Sequence, residues 1–192
     1  MTETYIKIIK CAYELFATRG FDRTSLNSIA IEVGISKPSM YYYFTSKDHL
    51  LDVVFKIILD EIKLEKAYDL REVESDQIKE TLIKTGQQHI RNQLEDPYYL
   101  GIMREFSSYS ARKKQVENQF ITIINDYRAG FEDLLHRCQE HGLIGSEVDL
   151  RTRSELLTSI MNGINMGLQL GVSLDYTAIW AQGVETCFAT GQ

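Results

Sequence analysis

The sequence predicts an all-α protein of about nine helices, and three observations carry that expectation. Only two of its 192 residues are proline, against a usual share of roughly 5%, so long helices run without their commonest breaker. Apolar residues recur at spacings of three and four almost throughout, and strand-like alternation is scarce. The charged (25%) and aromatic (10%) fractions are ordinary, which excludes a disordered or low-complexity chain. The length is sufficient to bury a core without metals or disulfides.

The first helix is expected from about Thr4 to Arg19, with Tyr5, Ile8, Ile9, Ala12, Leu15 and Phe16 on one stripe and Gly20 as its stop. Two short helices follow, about Leu26–Val33 and Lys37–Tyr43, separated by Gly34-Ile35-Ser36. A longer one starts after Ser46, a good N-cap, carries Leu50, Leu51, Val54, Ile57, Ile58 and Ile62, and runs towards Ala67. Beyond it, Glu74–Glu95 reads as a helix, and Pro97 at a first-turn position opens another to about Ser108. Ala111–His141 reads as one long helix, kinked near Gly130. After a turn at Gly142–Ser146, Arg151–Gly171 and Tyr176–Ala189 complete the chain. No fixed-period repeat and no Gly-, Ser- or Pro-rich linker is present, so the division between a first unit, residues 2–62, and a second, residues 66–192, falls near residue 65.

The segment 25–44 holds the most chemical information. Its helix, tight turn, helix arrangement uses elements too short to be stable alone. Ala30 sits where only a small side chain lets two helices cross, Gly34 lies four residues on at the turn, and Ile29, Val33, Ile35 and Met40 lock the pair. That spacing is the one found in helix-turn-helix units, whose second helix enters the DNA major groove. The second helix then carries Lys37, Pro38, Ser39, Tyr41, Tyr42 and Tyr43. At about 100° per residue, three adjacent tyrosines cannot all face one core. Some phenols must point outward, where hydroxyls suit phosphates and rings suit sugars or thymine methyls.

Residues 19–51, RGFDRTSLNSIAIEVGISKPSMYYYFTSKDHLL, resemble the DNA-binding region of tetracycline-repressor-type (TetR-family) regulators. The shared features are an aromatic after Arg-Gly, Thr-Ser before the second helix, Ile-Ala with Gly-Ile-Ser four residues on, and Lys-Pro-Ser-Met-Tyr ending in Tyr-Phe ahead of Ser-Lys-Asp-His-Leu. The likeness spans roughly residues 4–60; the rest matches only in the number, length and placement of helices. It implies an N-terminal three-helix helix-turn-helix DNA-binding domain and a C-terminal helical ligand-binding and dimerisation domain. Base reading is implied for Lys37, Pro38 and Asn27, and phosphate contact for Ser25, Ser39, Tyr41, Tyr43 and Lys47. Tyr42 is implied on backbone or base, and Ser36 at the turn is grouped with this surface. Tyr43 stands where many members have His, so a charge option is lost there. The implied partners are a palindromic double-stranded DNA operator, a second copy of the chain and an unidentified small-molecule effector, and repression is the expected direction of control. The alternative is a protein of the same fold that binds another protein as coactivator or structural partner; Lys37, Tyr41, Tyr42 and Lys47 favour DNA.

In the second domain, Gly163, Gly167 and Gly171 recur every four residues and shape a groove that another helix could approach. Leu157, Ile160, Ile164 and Leu168, with Trp180, Val184 and Phe188, either cover a four-helix dimer interface or pack inside one subunit. A second stripe, Thr158, Asn162, Asn165, Gln169 and Ser173, has no charge, which suggests semi-burial across a dimer or along a ligand cavity. Further candidates to line such a cavity are His89, Tyr98, Tyr99, Met103, Phe106, Tyr127 and Phe131, each also compatible with an ordinary core position.

Net charge −6 and a pI near 5.3 argue at first against DNA. The charge divides, however: residues 1–50 carry six basic and five acidic side chains, +1, and the remainder carries −7. Salt screens charge beyond about 8–10 Å, so the local balance governs binding, and few phosphate contacts are expected. Cys11, Cys138 and Cys187 are too scattered for a disulfide framework and fit reduced thiols in a cytoplasmic protein. The uncharged run Leu156–Leu174 has ten apolar residues but six polar ones, so a buried helix is expected there and no membrane partner. His136, Cys138 and His141 do not converge on a helix as metal ligands would, and no GxGxxG, Walker or GxSxG motif occurs. No enzyme, cofactor or metal is expected.

Overall fold

The computed structural model describes residues 2–64, 68, 70 and 72–189. Among them are nine α-helices and no strand: α1 (Glu3–Arg19), α2 (Leu26–Val33), α3 (Lys37–Tyr43), α4 (Lys47–Glu61), α5 (Ile78–Glu95), α6 (Tyr99–Ser110), α7 (Lys114–Glu140), α8 (Leu150–Leu170) and α9 (Tyr176–Phe188), with a 3₁₀ turn at Ser75–Gln77. The all-α expectation holds. The fourth helix stops at Glu61, short of Ala67, which lies outside the described residues. The stretch expected to be helical from Glu74 begins instead as the 3₁₀ turn. Pro97 stands in the turn ahead of α6, where Asp96 Oδ1 accepts the Tyr98 N–H at 2.8 Å, so the helix starts two residues later. Residues 111–113 form a turn before α7, which then runs unbroken through Gly130.

The chain divides into two compact units, and the division does not follow a single boundary near residue 65. The first unit comprises residues 1–60 and 96–117, the second 61–95 and 118–192. Residue 66, the expected start of the second domain, lies outside the described residues. In the first unit α1 packs on α2 and α6. Ile8, Ala12, Phe16, Ile29, Met40, Phe44, Leu50, Leu51, Phe55 and Phe106 form its core. The sequence gives little warning that α6 belongs here. Its Gly101 faces the backbone of α1, where a Cβ would lie 2.5 Å from the Ala17 carbonyl oxygen. Around that close approach, Tyr13 Oη donates to Asp96 Oδ2 at 2.7 Å and Tyr109 Oη donates to Asp52 Oδ1 of α4 at 2.8 Å.

In the second unit α9 packs against α5 and α8. The Trp180 indole lies where a side chain at residue 86 would stand, so the glycine there seats it on α5. Trp180 Nε1 donates to the Leu82 carbonyl at 3.1 Å. Tyr68, Phe131 and Trp180 stack edge and face with ring centroids about 6 Å apart. Arg153 closes the end of α9 by donating to the Cys187 carbonyl at 2.7 Å and to the Ala189 carbonyl. Cys11, Cys138 and Cys187 are free thiols, and among the described residues no helix is long and apolar enough to cross a membrane.

Candidate nucleic-acid interface

Two serines begin the two short helices. Ser25 caps α2: its hydroxyl accepts the Ser28 N–H at 3.0 Å, and the Ser28 hydroxyl in turn accepts the Ser25 N–H at 3.0 Å. Gly34 ends α2 in the left-handed region, at φ 78°, which only glycine adopts cheaply. Ile35 N–H then returns to the Ala30 carbonyl at 2.9 Å. Ser36 caps α3 by accepting the Ser39 N–H at 3.2 Å, and Pro38 falls in the first turn, where a missing N–H costs nothing. Ile29, Ala30 and Met40 are fully buried between the helices, and this fixes which side of α3 faces out.

The outward side is the one expected to read DNA. Lys37, Pro38, Ser39 and Tyr41 are exposed, and Tyr42 is 85% exposed. Asn27 is exposed on α2. Tyr43 is half-buried, its ring 5.3 Å from Tyr42 and 6.4 Å from Tyr5 of α1, with Tyr5 stacked on Phe44 at 5.3 Å. An exposed ammonium, a proline ring and phenols on a two-turn helix can donate to phosphates and base acceptors and touch thymine methyls.

Two of the assigned residues are otherwise engaged. The Ser25 hydroxyl is occupied by the cap, accepting from Ser28 N and meeting Ser28 Oγ at 3.2 Å. Lys47 does not project into solvent: its Nζ donates to the Phe21 carbonyl at 2.8 Å and the Asp22 carbonyl at 3.4 Å, and sits 4.1 Å from the Phe21 ring centroid. The Ser36 and Ser39 hydroxyls lie 2.8 Å apart and either can donate, so one proton remains for an external acceptor.

The residues proposed for a ligand cavity divide between the units. Tyr98, Tyr99, Met103 and Phe106 belong to the first, where Phe106 packs edge-on against Phe55 at 4.8 Å. Burial and the nearby Asp96 push the Tyr99 hydroxyl up to about 12. His89, Tyr127, Phe131, Asn162, Asn165 and Gln169 belong to the second. There Gln93 joins them, a buried amide whose Nε2 lies 2.8 Å from His89 Nε2 and donates to Asn165 Oδ1 at 3.2 Å. Burial holds the His89 pKa below its usual value. Tyr127 Oη donates to the Ile62 carbonyl at 2.7 Å, and Phe131 is fully buried.

Of the two readings of the apolar stripe, packing inside one subunit describes most of its members. Leu157, Ile164, Leu168, Trp180, Val184 and Phe188 are buried inside the second unit, because α9 covers that side of α8. The glycines do not share one role. Gly171 is the left-handed stop of α8, Gly167 makes room for the Tyr176 phenol, and of the three only Gly163 and Gly171 border open space. The apolar residues left outside are Leu156, Met166, Leu170 and Ile179, and Ile160 is half-buried. Leu156, Ile160, Ala178, Ile179, Gln182, Gly183 and Thr186 line a shallow open groove along α8 and α9.

His136, Cys138 and His141 point apart. Cys138 is buried with its thiol 3.5 Å from the Ser75 carbonyl, and His141 Nδ1 lies 2.8 Å from the Arg137 carbonyl. Sequence reasoning missed Glu105 and Gln93. Phe21 carried a signal as the aromatic after Arg-Gly, but Glu105, 84 residues further on, had none.

Residues 8–54 match the model of the bacterial regulatory proteins, tetR family. Over 51 residues the chain is 47% identical to the uncharacterised HTH-type transcriptional regulator YerO of Bacillus subtilis, which covers 27% of this chain and 18% of that protein. Over 54 residues it is 43% identical to IcaR of Staphylococcus aureus, the negative transcriptional regulator of the biofilm operon icaADBC, covering 28% of this chain and 29% of that one. The matched stretch is thus less than a third of either relative. The fold extends the likeness: the structure of SmeT of Stenotrophomonas maltophilia in complex with triclosan superposes with a TM-score of 0.77 at 16% identity, covering 100% of this chain and 97% of that one.

Proposed function

We propose that the chain, whose residues 8–54 match the tetR family of bacterial regulatory proteins, is a DNA-binding repressor acting as a dimer and released by a small molecule. The observation that carries the reading is the outward face of α3. Lys37, Pro38, Ser39, Tyr41 and Tyr42 stand exposed on a helix whose opposite side is anchored by buried Met40. One two-turn helix reads only a few base pairs, so specificity calls for two copies on a palindrome, with half-sites about one helical turn (roughly 34 Å) apart. The exposed apolar face of α8 and α9, around Leu156, Gly163 and Ile179, is where the second copy seats. IcaR is a negative regulator and SmeT was seen with triclosan. By analogy the effector enters the second unit near His89, Gln93, Asn165, Asn162 and Gln169, a polar set without charge that suits a neutral, partly aromatic molecule.

Wild-type protein should enrich a two-fold symmetric duplex from a random-sequence pool and retard it on a gel. A pool that shows no enrichment removes the DNA reading and favours a protein partner. Leu156→Asp with Ile179→Asp should give a monomer by sedimentation and lose the retarded band.

A further inference from the structure

We infer that Lys47 and Glu105 are positioning residues that grip the α1–α2 turn from opposite sides, and that Lys47 acts there instead of neutralising a phosphate. The inference rests on the reading of α2–α3 as the DNA-reading pair. Every group of Phe21 is held. Its N–H donates to Glu105 Oε2 of α6 at 2.9 Å. Its carbonyl accepts both Lys47 Nζ at 2.8 Å and the Thr24 N–H at 3.2 Å. Its ring lies under the Lys47 ammonium and against Phe16 and Tyr109, with centroids 5.6 and 6.1 Å away. Gly20 leaves the room for Glu105, since a Cβ there would stand 3.3 Å from Oε1.

From this residue to the start of α2 the chain has little freedom. Thr24 is 2% exposed, and its hydroxyl donates to the Gly20 carbonyl at 2.9 Å. Ser25 follows as the α2 cap. The entry of α2, and with it the aim of α3, is therefore set by where α4 and α6 hold Phe21. Two of the three ammonium protons of Lys47 point at turn carbonyls. Reaching a phosphate would forfeit both bonds and the ring contact. A charged donor spent on backbone carbonyls orients the turn and adds nothing to the count of phosphate contacts.

That count is measurable, because log affinity falls against log salt by about 0.9 per neutralised phosphate. The probe is the duplex that wild-type protein enriches from a random pool, titrated from low to moderate KCl. Lys47→Met and Glu105→Ala should each weaken binding about tenfold and leave the salt slope unchanged. Glu105→Gln, which still accepts the Phe21 N–H, should restore most of the affinity. Without DNA, Glu105→Ala should speed amide exchange at Phe21 and through residues 29–40, and Glu105→Gln should not. A Lys47→Met slope lower by about one unit, with Glu105→Ala binding like wild type, would overturn the inference and return Lys47 to the phosphate. Faster exchange confined to Phe21 would overturn it too. If wild type enriches no duplex, the DNA reading fails on its own, and exchange still decides whether the grip orients α2 and α3. Lys47→Gln, neutral but still able to donate to the Phe21 carbonyl, covers the case in which Lys47→Met does not fold: it should keep the wild-type slope, and a slope lower by about one unit would overturn the inference.

Discussion

In α2 and α3 the inward residues are few: Leu26, Ile29, Ala30 and Met40 face the core and nearly everything else points out. In α8 and α9 a larger share is buried, with Leu157, Thr158, Met161, Ile164 and Leu168 of one helix and Trp180, Gly183, Val184, Cys187 and Phe188 of the other inside the same unit. Both pairs use small residues at helical spacing. In the first pair, Ala30 and Gly34 do what their spacing suggests, a close crossing and a left-handed turn. In the second, of three glycines spaced every four residues one seats the Tyr176 phenol, one stops the helix at positive φ and one faces open space. A spacing shows which residues share a face; what covers that face depends on elements far away in the chain.

The sharpest way to break this contrast is to empty the second region. Trp180→Ala removes an indole that is 1% exposed and hydrogen-bonded to Leu82. It should cost about 3–5 kcal/mol of unfolding free energy in urea titrations. A loss below about 1 kcal/mol would mean that the aromatic cluster is not a packed core. The exposed face of α3, proposed as the reading face, should respond the other way. Lys37→Ala and Tyr42→Ala should each cost about 1–3 kcal/mol in binding to the enriched duplex, with urea midpoints unchanged. If both variants keep wild-type affinity, α3 does not read DNA.

The glycines refine the comparison inside α8 itself. Gly167→Ala drives a Cβ into the Tyr176 phenol, which is tied to the Val172 carbonyl at 2.7 Å. It should destabilise by about 1–3 kcal/mol. Gly163→Ala meets nothing within 4 Å and replaces a poor helix former by the best one, so the monomer should gain about 0.5–1 kcal/mol. Equal effects at the two positions would show that the regular spacing does describe one groove.

The first region was legible because its signals are local. Caps at Ser25 and Ser36, the stop at Gly34 and the outward tyrosines all lie within twenty residues, and each acts on its near neighbours. The helices of the second region were equally legible as helices, but their contacts were not. Membership of α6 in the first unit turns on Gly101 meeting Ala17 and on Glu105 meeting Phe21, pairings 84 residues apart. The apolar stripe of α8 and α9 shows the same limit: Trp180 reads equally as an interface anchor or a core residue until Leu82 of α5, a hundred residues earlier, is seen to accept its indole N–H. Lys47 is an intermediate case, at the expected place in the motif but aimed at a turn that only the folded chain brings to it.

The smallest effect separates the regions by pH. Half-buried His89 lies beside the Gln93 amide, which also donates to Asn165, and the Tyr68 ring is 6.2 Å away. A neutral imidazole can accept the Gln93 N–H; a protonated one would set donor against donor away from water. Burial accordingly lowers the pKa from the ordinary 6.5. The unfolded chain takes up this proton near pH 6.5 while the folded chain still resists it, so unfolding binds a proton and stability falls as the pH drops below that value. The loss ends once the pH reaches the lowered folded pKa, and above pH 7 the group contributes no slope. The largest possible slope for one such group is about 1.4 kcal/mol per pH unit. The carboxylates of Asp149 and Asp175, held low by their capping bonds, lose stability only at more acid pH, below their ordinary 3.8. Urea unfolding of wild type and His89→Gln at pH 7.5, 6.5 and 5.5 should therefore show the wild type losing a few tenths to about 1 kcal/mol more over that interval. Parallel curves would mean that His89 titrates alike in both states, and that the polar set in the second region is as open to water as the reading face of the first.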